Sequence, residues 1–216
     1  MHDRPRDAPP ARIRPSFATT VLAAGRSERF GGFPKALLRV GERTALERIV
    51  AVARDVSDGP VVVAVPPGSA PVRAVAESTG ALVVASTESE VGRTGSLRAA
   101  LGHIDSERSV VVWPVDHPLV EAMTVRALDD AVRRDLMATW VIPTFAGRRG
   151  HPILFTPAAR PNVDALPRND PLRSLLPRLG VGVRRVGVND PAVVENLDTP
   201  AEYDRAVSAW RLRGGS

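Results

Sequence analysis

Residues 22–38 read LAAGRSERFGGFPKALL and gather three glycines, two arginines and a lysine between two apolar runs. Gly25, Gly31 and Gly32 allow backbone N–H groups to approach an anion closely, and Arg26, Arg29 and Lys35 add cationic charge. Several amides combined with several cations suit a polyphosphate. Lys35 is the only lysine in a chain with 29 lysines and arginines. Its compact ammonium can act as a point charge against one phosphate oxygen, where a planar guanidinium would fork across two. Asp116 is the second candidate. It follows the apolar run SVVVWPV and precedes His117 and Pro118, a placement that leaves both a plain helix cap and a divalent-metal ligand open.

The phosphate motif is not one of the common ones. No G-x-G-x-x-G is present, and Lys35 is flanked by Pro34 and Ala36 with no hydroxyl after it, so neither a dinucleotide fingerprint nor a P-loop is spelled out.

The elements that must hold these residues alternate. FATTVLAAG (17–25), GPVVVAVPPG (59–68), ALVVAS (81–86) and SVVVWPVD (109–116) are apolar runs of strand length. Between them, TALERIVAVARDV (44–56), residues 70–79 and GSLRAALGHI (95–104) carry helical spacing, and a further helix is predicted over 120–134. Valine runs separated by helices predict an α/β fold: a single domain with a mostly parallel, mixed central sheet and helices on both faces. ATWVIPTF (138–145) and HPILF (151–155) are joined by the turn AGRRG and predict an antiparallel excursion. Helices are predicted at 157–166, 170–179 and 199–212, with a strand around GVRRVGV (182–188). In such a sheet, ligands bind beyond the carboxyl ends of the strands. The Gly25 loop and Asp116 both fall at such ends.

Composition narrows the function classes. The chain has 216 residues, 44% hydrophobic and 25% charged, the profile of a soluble domain, and no apolar run reaches the roughly 18–20 residues of a membrane span. A net charge of +5 is spread among acids, and aromatics make up 4%, so neither a basic stripe nor stacking platforms for nucleic acid are present. With no cysteine there is no disulfide framework or thiol nucleophile, and a cytoplasmic location is the simplest expectation. Residues 1–16 read as a disordered tail and 17–212 as the domain. A monomer or weak dimer is expected.

Five segments, in order, carry a resemblance: LAAGRSERFGG with PKALL (22–38), GRTGSLRAAL (92–101), PVDHPLV (114–120), GRRGHPILF (147–155) and NLDTPAEYD (196–204). Together they resemble the nucleotidyltransferases of the GT-A-like fold, most closely the molybdenum cofactor cytidylyltransferase and guanylyltransferase branch, over roughly residues 17–208. The resemblance implies a Mg²⁺-dependent enzyme that transfers a nucleotidyl group from a nucleoside triphosphate to a phosphate-bearing acceptor. It implies nucleotide contacts from Leu22, Ala23, Ala24, Gly25, Arg26, Ser27, Arg29, Lys35 and Ser96, with catalytic roles for Arg29, Lys35 and Asp116. Metal ligation falls to Asp116, Asn196 and Asp198. The acceptor side falls to His117, Arg148, Arg149 and His151. The residue types make sense on their own terms, because such transfers need positioning and charge stabilisation more than covalent work by the protein.

The chain also departs from the pattern. Asn196 stands where relatives carry a first aspartate, offering an oxygen without charge. LAAG resembles the cytidylyl form of the loop more than the guanylyl form, which favours CTP over GTP. His117 and His151 each precede a proline in an extended segment, which favours substrate contact or packing over a transition-metal pair. Solvated turn charge remains the plain alternative for Arg148 and Arg149. Other readings are a guanylyltransferase, a sugar- or methylerythritol-phosphate nucleotidyltransferase, and a non-catalytic nucleotide-binding module.

Overall fold

Three parallel strands form the centre of the molecule: β1 (Phe17–Leu22), β4 (Val61–Val65) and β6 (Ser109–Pro114), with β1 between the other two. They are almost wholly buried because both of their faces are covered, and alternate side chains go to opposite layers. Phe17, Val21, Val63 and Trp113 join one core cluster, while Ala18, Leu22, Val62 and Val112 join the other. The computed structural model describes residues 17–25, 27–86, 93–167, 170–172, 174–175 and 182–215. The tail assigned to 1–16, Arg26 and most of the helix expected at 170–179 lie outside them.

The first layer contains helices α1 (Ala45–Val56), α2 (Ala70–Ser78), α4 (Ala122–Arg134) and α6 (Pro200–Leu212); the second contains α3 (Arg93–Leu101) and α5 (Arg160–Ala165). Leu46, Ile49, Val50 and Ala53 give α1 the 3–4 spacing that buries one stripe. Its start is fixed by a capping box in which Thr44 and Glu47 bond reciprocally.

The remaining strands are β2 (Arg39–Val40), β3 (Arg43–Thr44), β5 (Leu82–Ala85), β7 (Trp140–Phe145), β8 (Arg148–Arg149), β9 (Ile153–Phe155) and β10 (Val183–Gly187). The main sheet runs β10-β7-β9-β6-β1-β4-β5, with β8 paired to β7 and β2–β3 forming a separate hairpin. β9 is antiparallel to both β6 and β7, so the predicted excursion is present. One detail differs. Arg148 and Arg149 are not in the turn: Ala146 and Gly147 form it, with φ of 48° and 75°, and the arginines pair antiparallel with Thr144 and Phe145. A two-residue hairpin needs positive φ at both central positions, which places the bend there. The helix expected at 120–134 begins at Ala122, and the one expected over 157–166 splits into a 3-10 turn, Pro157–Ala159, and α5. Among the described residues, no helix is long and apolar enough to cross a membrane.

Candidate active site

At the carboxyl end of β1 the backbone is pinned on both sides. Ala23 N–H donates to Ala64 O at 2.9 Å, and Leu22 O accepts from Val115 N–H at 3.1 Å. The loop that follows is knotted around Ser27, which sits in the left-handed region at φ 51°. Its carbonyl accepts from Phe30 N–H at 2.9 Å and Gly32 N–H at 3.3 Å, and its Oγ accepts from Lys35 N–H at 3.1 Å. A short side chain with an acceptor oxygen is what this turn requires. Gly31 and Gly32, at φ 62° and 84°, carry the chain out of the 3-10 turn Glu28–Phe30. Pro34 then leads into the 3-10 turn that begins with Lys35.

The two cations of this loop face the C-terminal motif. Lys35 Nζ donates to Asp198 Oδ1, and Arg29 Nη1 lies 4.0 Å from Asp198 Oδ2. Lys35 is largely enclosed at 16% exposure, while Arg29 is open at 69%. Asp198 Oδ2 also accepts from Asn196 Nδ2 at 2.6 Å. The segment is anchored to the end of β6 by Leu197 N–H, which donates to Asp116 O at 2.8 Å. The Asp116 backbone is therefore brought beside residues 196–198.

The hard-oxygen donors here are the carboxylates of Asp116 and Asp198 and the amide oxygen of Asn196. Mg²⁺ or Mn²⁺ takes one or two carboxylates plus water and substrate oxygens in preference to a full protein cage, so this set fits such an ion. Among the described residues, no group of three or more His, Cys, Asp or Glu gathers as a metal site.

The other expected residues separate into two places. Ser96 lies in α3 at 3% exposure, and its Oγ is 2.9 Å from the Oγ of Ser86, just past β5. On the opposite flank, the rings of His117 and His151 are 5.1 Å apart with planes tilted by 51°. His117 Nε2 is 3.8 Å from Asp116 Oδ1. Arg148 and Arg149 are exposed on β8. Sequence reasoning missed the segment on which both histidines rest. His117 Nδ1 is 3.3 Å from Ala192 O, and His151 N–H donates to Val193 O at 2.8 Å. Asp190 before Pro191 was the available sign of a turn start there.

A glycine-rich, cationic loop after β1, an aspartate after β6 and an oxygen-rich C-terminal motif, joined by the Lys35–Asp198 pair and the Leu197–Asp116 bond, define an α/β domain of the nucleotidyltransferase class. The chain belongs to the family of MobA-like NTP transferase domains, whose model matches residues 19–183. It is 36% identical over 123 residues to the 2-C-methyl-D-erythritol 4-phosphate cytidylyltransferase of Thermus thermophilus, covering 57% of this chain and 53% of that one. It is 30% identical over 117 residues to the bifunctional protein GlmU of Chromobacterium violaceum, covering 54% of this chain and 26% of that one. The chain thus spans about half or less of the length of these curated relatives. Among solved structures, Rv0371c of Mycobacterium tuberculosis in complex with manganese superposes with a TM-score of 0.73 at 27% identity, over 90% of this chain and 99% of that one.

Proposed function

We propose that the protein is a metal-dependent cytidylyltransferase that transfers CMP from CTP to the phosphate monoester of a molybdopterin-type cofactor and releases pyrophosphate. The observation that carries this reading is the convergence of Lys35 and Arg29 on Asp198 beside Asp116. Two cations stand against a set of hard oxygens, as the substrate's charge distribution requires.

In the reaction, an oxygen of the acceptor phosphate attacks the α phosphorus of CTP in line. The bond from that phosphorus to the bridging oxygen breaks, and the electron pair leaves with pyrophosphate. Lys35 holds a non-bridging α oxygen, and Arg29 takes charge on the β and γ phosphates. The backbone at Leu22–Gly25 and Ser27, together with Arg26 and Ser96, binds the nucleoside side. His117, His151, Arg148 and Arg149 orient the acceptor phosphate. Asp116 and Asp198, with Asn196 as a neutral third oxygen, would hold Mg²⁺ or Mn²⁺, which would supply Lewis-acid charge stabilisation when bound. No side-chain nucleophile is needed.

The preference for CTP rests on the LAAG form of the loop and on the cytidylyltransferase among the relatives. That same relative favours a second reading, transfer to a smaller sugar-alcohol phosphate such as methylerythritol phosphate. The first test is thermal stabilisation by CTP, GTP, UTP and ATP, each with and without Mg²⁺ or Mn²⁺. Pyrophosphate release is then measured with molybdopterin or methylerythritol phosphate as acceptor. Stabilisation by CTP with metal, and turnover only with the pterin, is expected. A shift with GTP alone moves the chain to guanylyl transfer, and no shift with any nucleotide removes the enzymatic reading.

A further inference from the structure

The 3-10 turn Pro191–Val193 carries no reactive side chain, yet both histidines of the proposed acceptor side rest on its carbonyls. A carbonyl oxygen only accepts, so the contact at Ala192 O calls for a proton on His117 Nδ1 and directs Nε2 toward Asp116. Trp113 Nε1–H donates to the His117 carbonyl at 2.9 Å and fixes the backbone of the same residue. On the other strand, Gly150 passes so close to Val193 that a Cβ there would overlap the Val193 carbonyl. The His117 ring and the backbone that carries His151 therefore both depend on where this turn sits.

Its position is set by Asp190, which is 4% exposed and holds donors from two separate elements. Asp190 Oδ1 accepts from Ala192 N–H at 3.0 Å. Oδ2 accepts from Glu121 N–H at 3.0 Å and from Thr124 Oγ–H at 2.7 Å. The N-terminus of α4 has no side-chain cap of its own from Glu121, so Asp190 supplies that acceptor from far along the chain. A carboxylate can take all of these bonds at once, whereas an amide would turn an N–H₂ group against at least one donor.

We infer that Asp190 is a positioning residue: by clamping the 191–193 turn to the start of α4, it fixes the His117 ring and the backbone at His151, and so the affinity for the acceptor. The effect on the acceptor rests on the function proposed above; the effect on the His117 ring does not.

The experiment compares Asp190→Asn and Thr124→Val with wild type in the full chain, with Thr124→Ser as the conservative control. Histidine ring ¹⁵N spectra are recorded without substrates, and KM is measured for CTP and for the pterin phosphate. Wild type is expected to show a single Nδ1-protonated tautomer for His117. Asp190→Asn should lose it, Thr124→Val should weaken it and Thr124→Ser should keep it. Acceptor KM should rise about tenfold in Asp190→Asn, while CTP KM stays within about twofold. Unchanged His117 signals in Asp190→Asn overturn the inference, as does an equal rise in both KM values. Should Asp190→Asn fail to fold, Thr124→Val decides, and a wild-type spectrum in that variant overturns the inference. If wild type turns over no acceptor, the functional proposal falls and the ring spectra still decide the role of Asp190.

Discussion

Lys35 and Asp198 form an ion pair that joins the loop after β1 to the C-terminal motif, so the carboxylate occupies the ammonium that the phosphate of the proposed substrate would use. Arg29 at 4.0 Å and Asn196 Nδ2 at 2.6 Å complete the surroundings of the same carboxylate. Asp198 cannot serve a metal ion with its full charge while also neutralising both cations.

Removing that charge should therefore separate the two roles. Asp198→Asn is expected to bind CTP in the presence of EDTA about two- to fivefold more tightly than wild type, the scale of a partly exposed ion pair. The gain in affinity that Mg²⁺ or Mn²⁺ gives wild type should shrink in the variant, since coupling between two ligands is reciprocal. Calorimetric titration with and without metal measures both quantities. Weaker metal-free binding in the variant would count against the ion pair as a competitor of phosphate.

Lys35→Ala should lower kcat/KM by on the order of 10²–10³, the scale of losing one charge-stabilising donor in a transition state. Lys35→Arg should not restore it. The site encloses a compact ammonium at 16% exposure, and a planar fork cannot take the same place against one oxygen. Circular dichroism and melting curves matching wild type make the loss chemical; wild-type turnover in Lys35→Ala removes Lys35 from the mechanism.

The sheet and the glycine-rich loop after β1 were legible because each leaves a local mark. The valine runs of β1, β4 and β6 are continuous since both faces are buried, and the loop's glycines and cations stand together in sequence. The hairpin β2–β3 was not legible, because strands of two residues show no periodicity. The arginines of β8 read as a turn for the same reason. Asp190 was silent for a different reason: its partners, Glu121 and Thr124, lie on another helix, and only the packing of α4 brings them together. The 196–198 motif suggested metal ligands, but not that Asp198 would meet Lys35 from the far end of the domain.

The capping box of α1 gives a pH dependence. Thr44 N–H donates to Glu47 Oε2 at 2.6 Å and Thr44 Oγ–H donates to the same oxygen at 2.8 Å, and these bonds hold the Glu47 carboxyl below its ordinary value. A carboxyl depressed in the folded state stabilises fully above its unfolded pKa, and that contribution fades as pH falls through the folded one. The stability difference between wild type and Glu47→Gln, measured by urea unfolding, should thus be constant from neutrality to about pH 5 and narrow below about pH 4. Thr44→Ala should cost about 1 kcal/mol at neutral pH. A Glu47→Gln difference that widens on acidification would contradict the assignment.

Two glycine substitutions distinguish fold from ligand. A Cβ on Gly150 would strike the backbone carbonyl of Val193, which the 191–193 turn holds in place, so Gly150→Ala must displace backbone. Overpacking of this kind costs about 1–3 kcal/mol, a melting temperature about 2–12 °C lower for a domain of this size. A Cβ on Gly25 meets no described residue within 4 Å, and Gly25 is not in the positive-φ region. Gly25→Ala should therefore leave stability within about 0.5 kcal/mol of wild type. Its effect should appear only when a nucleotide fills the space beside the loop, as a loss of CTP affinity without loss of fold. Because no described residue fills that space, weaker CTP binding in Gly25→Ala with an unchanged fold points to a ligand approaching that backbone. Unchanged CTP affinity would mean that the nucleotide lies elsewhere.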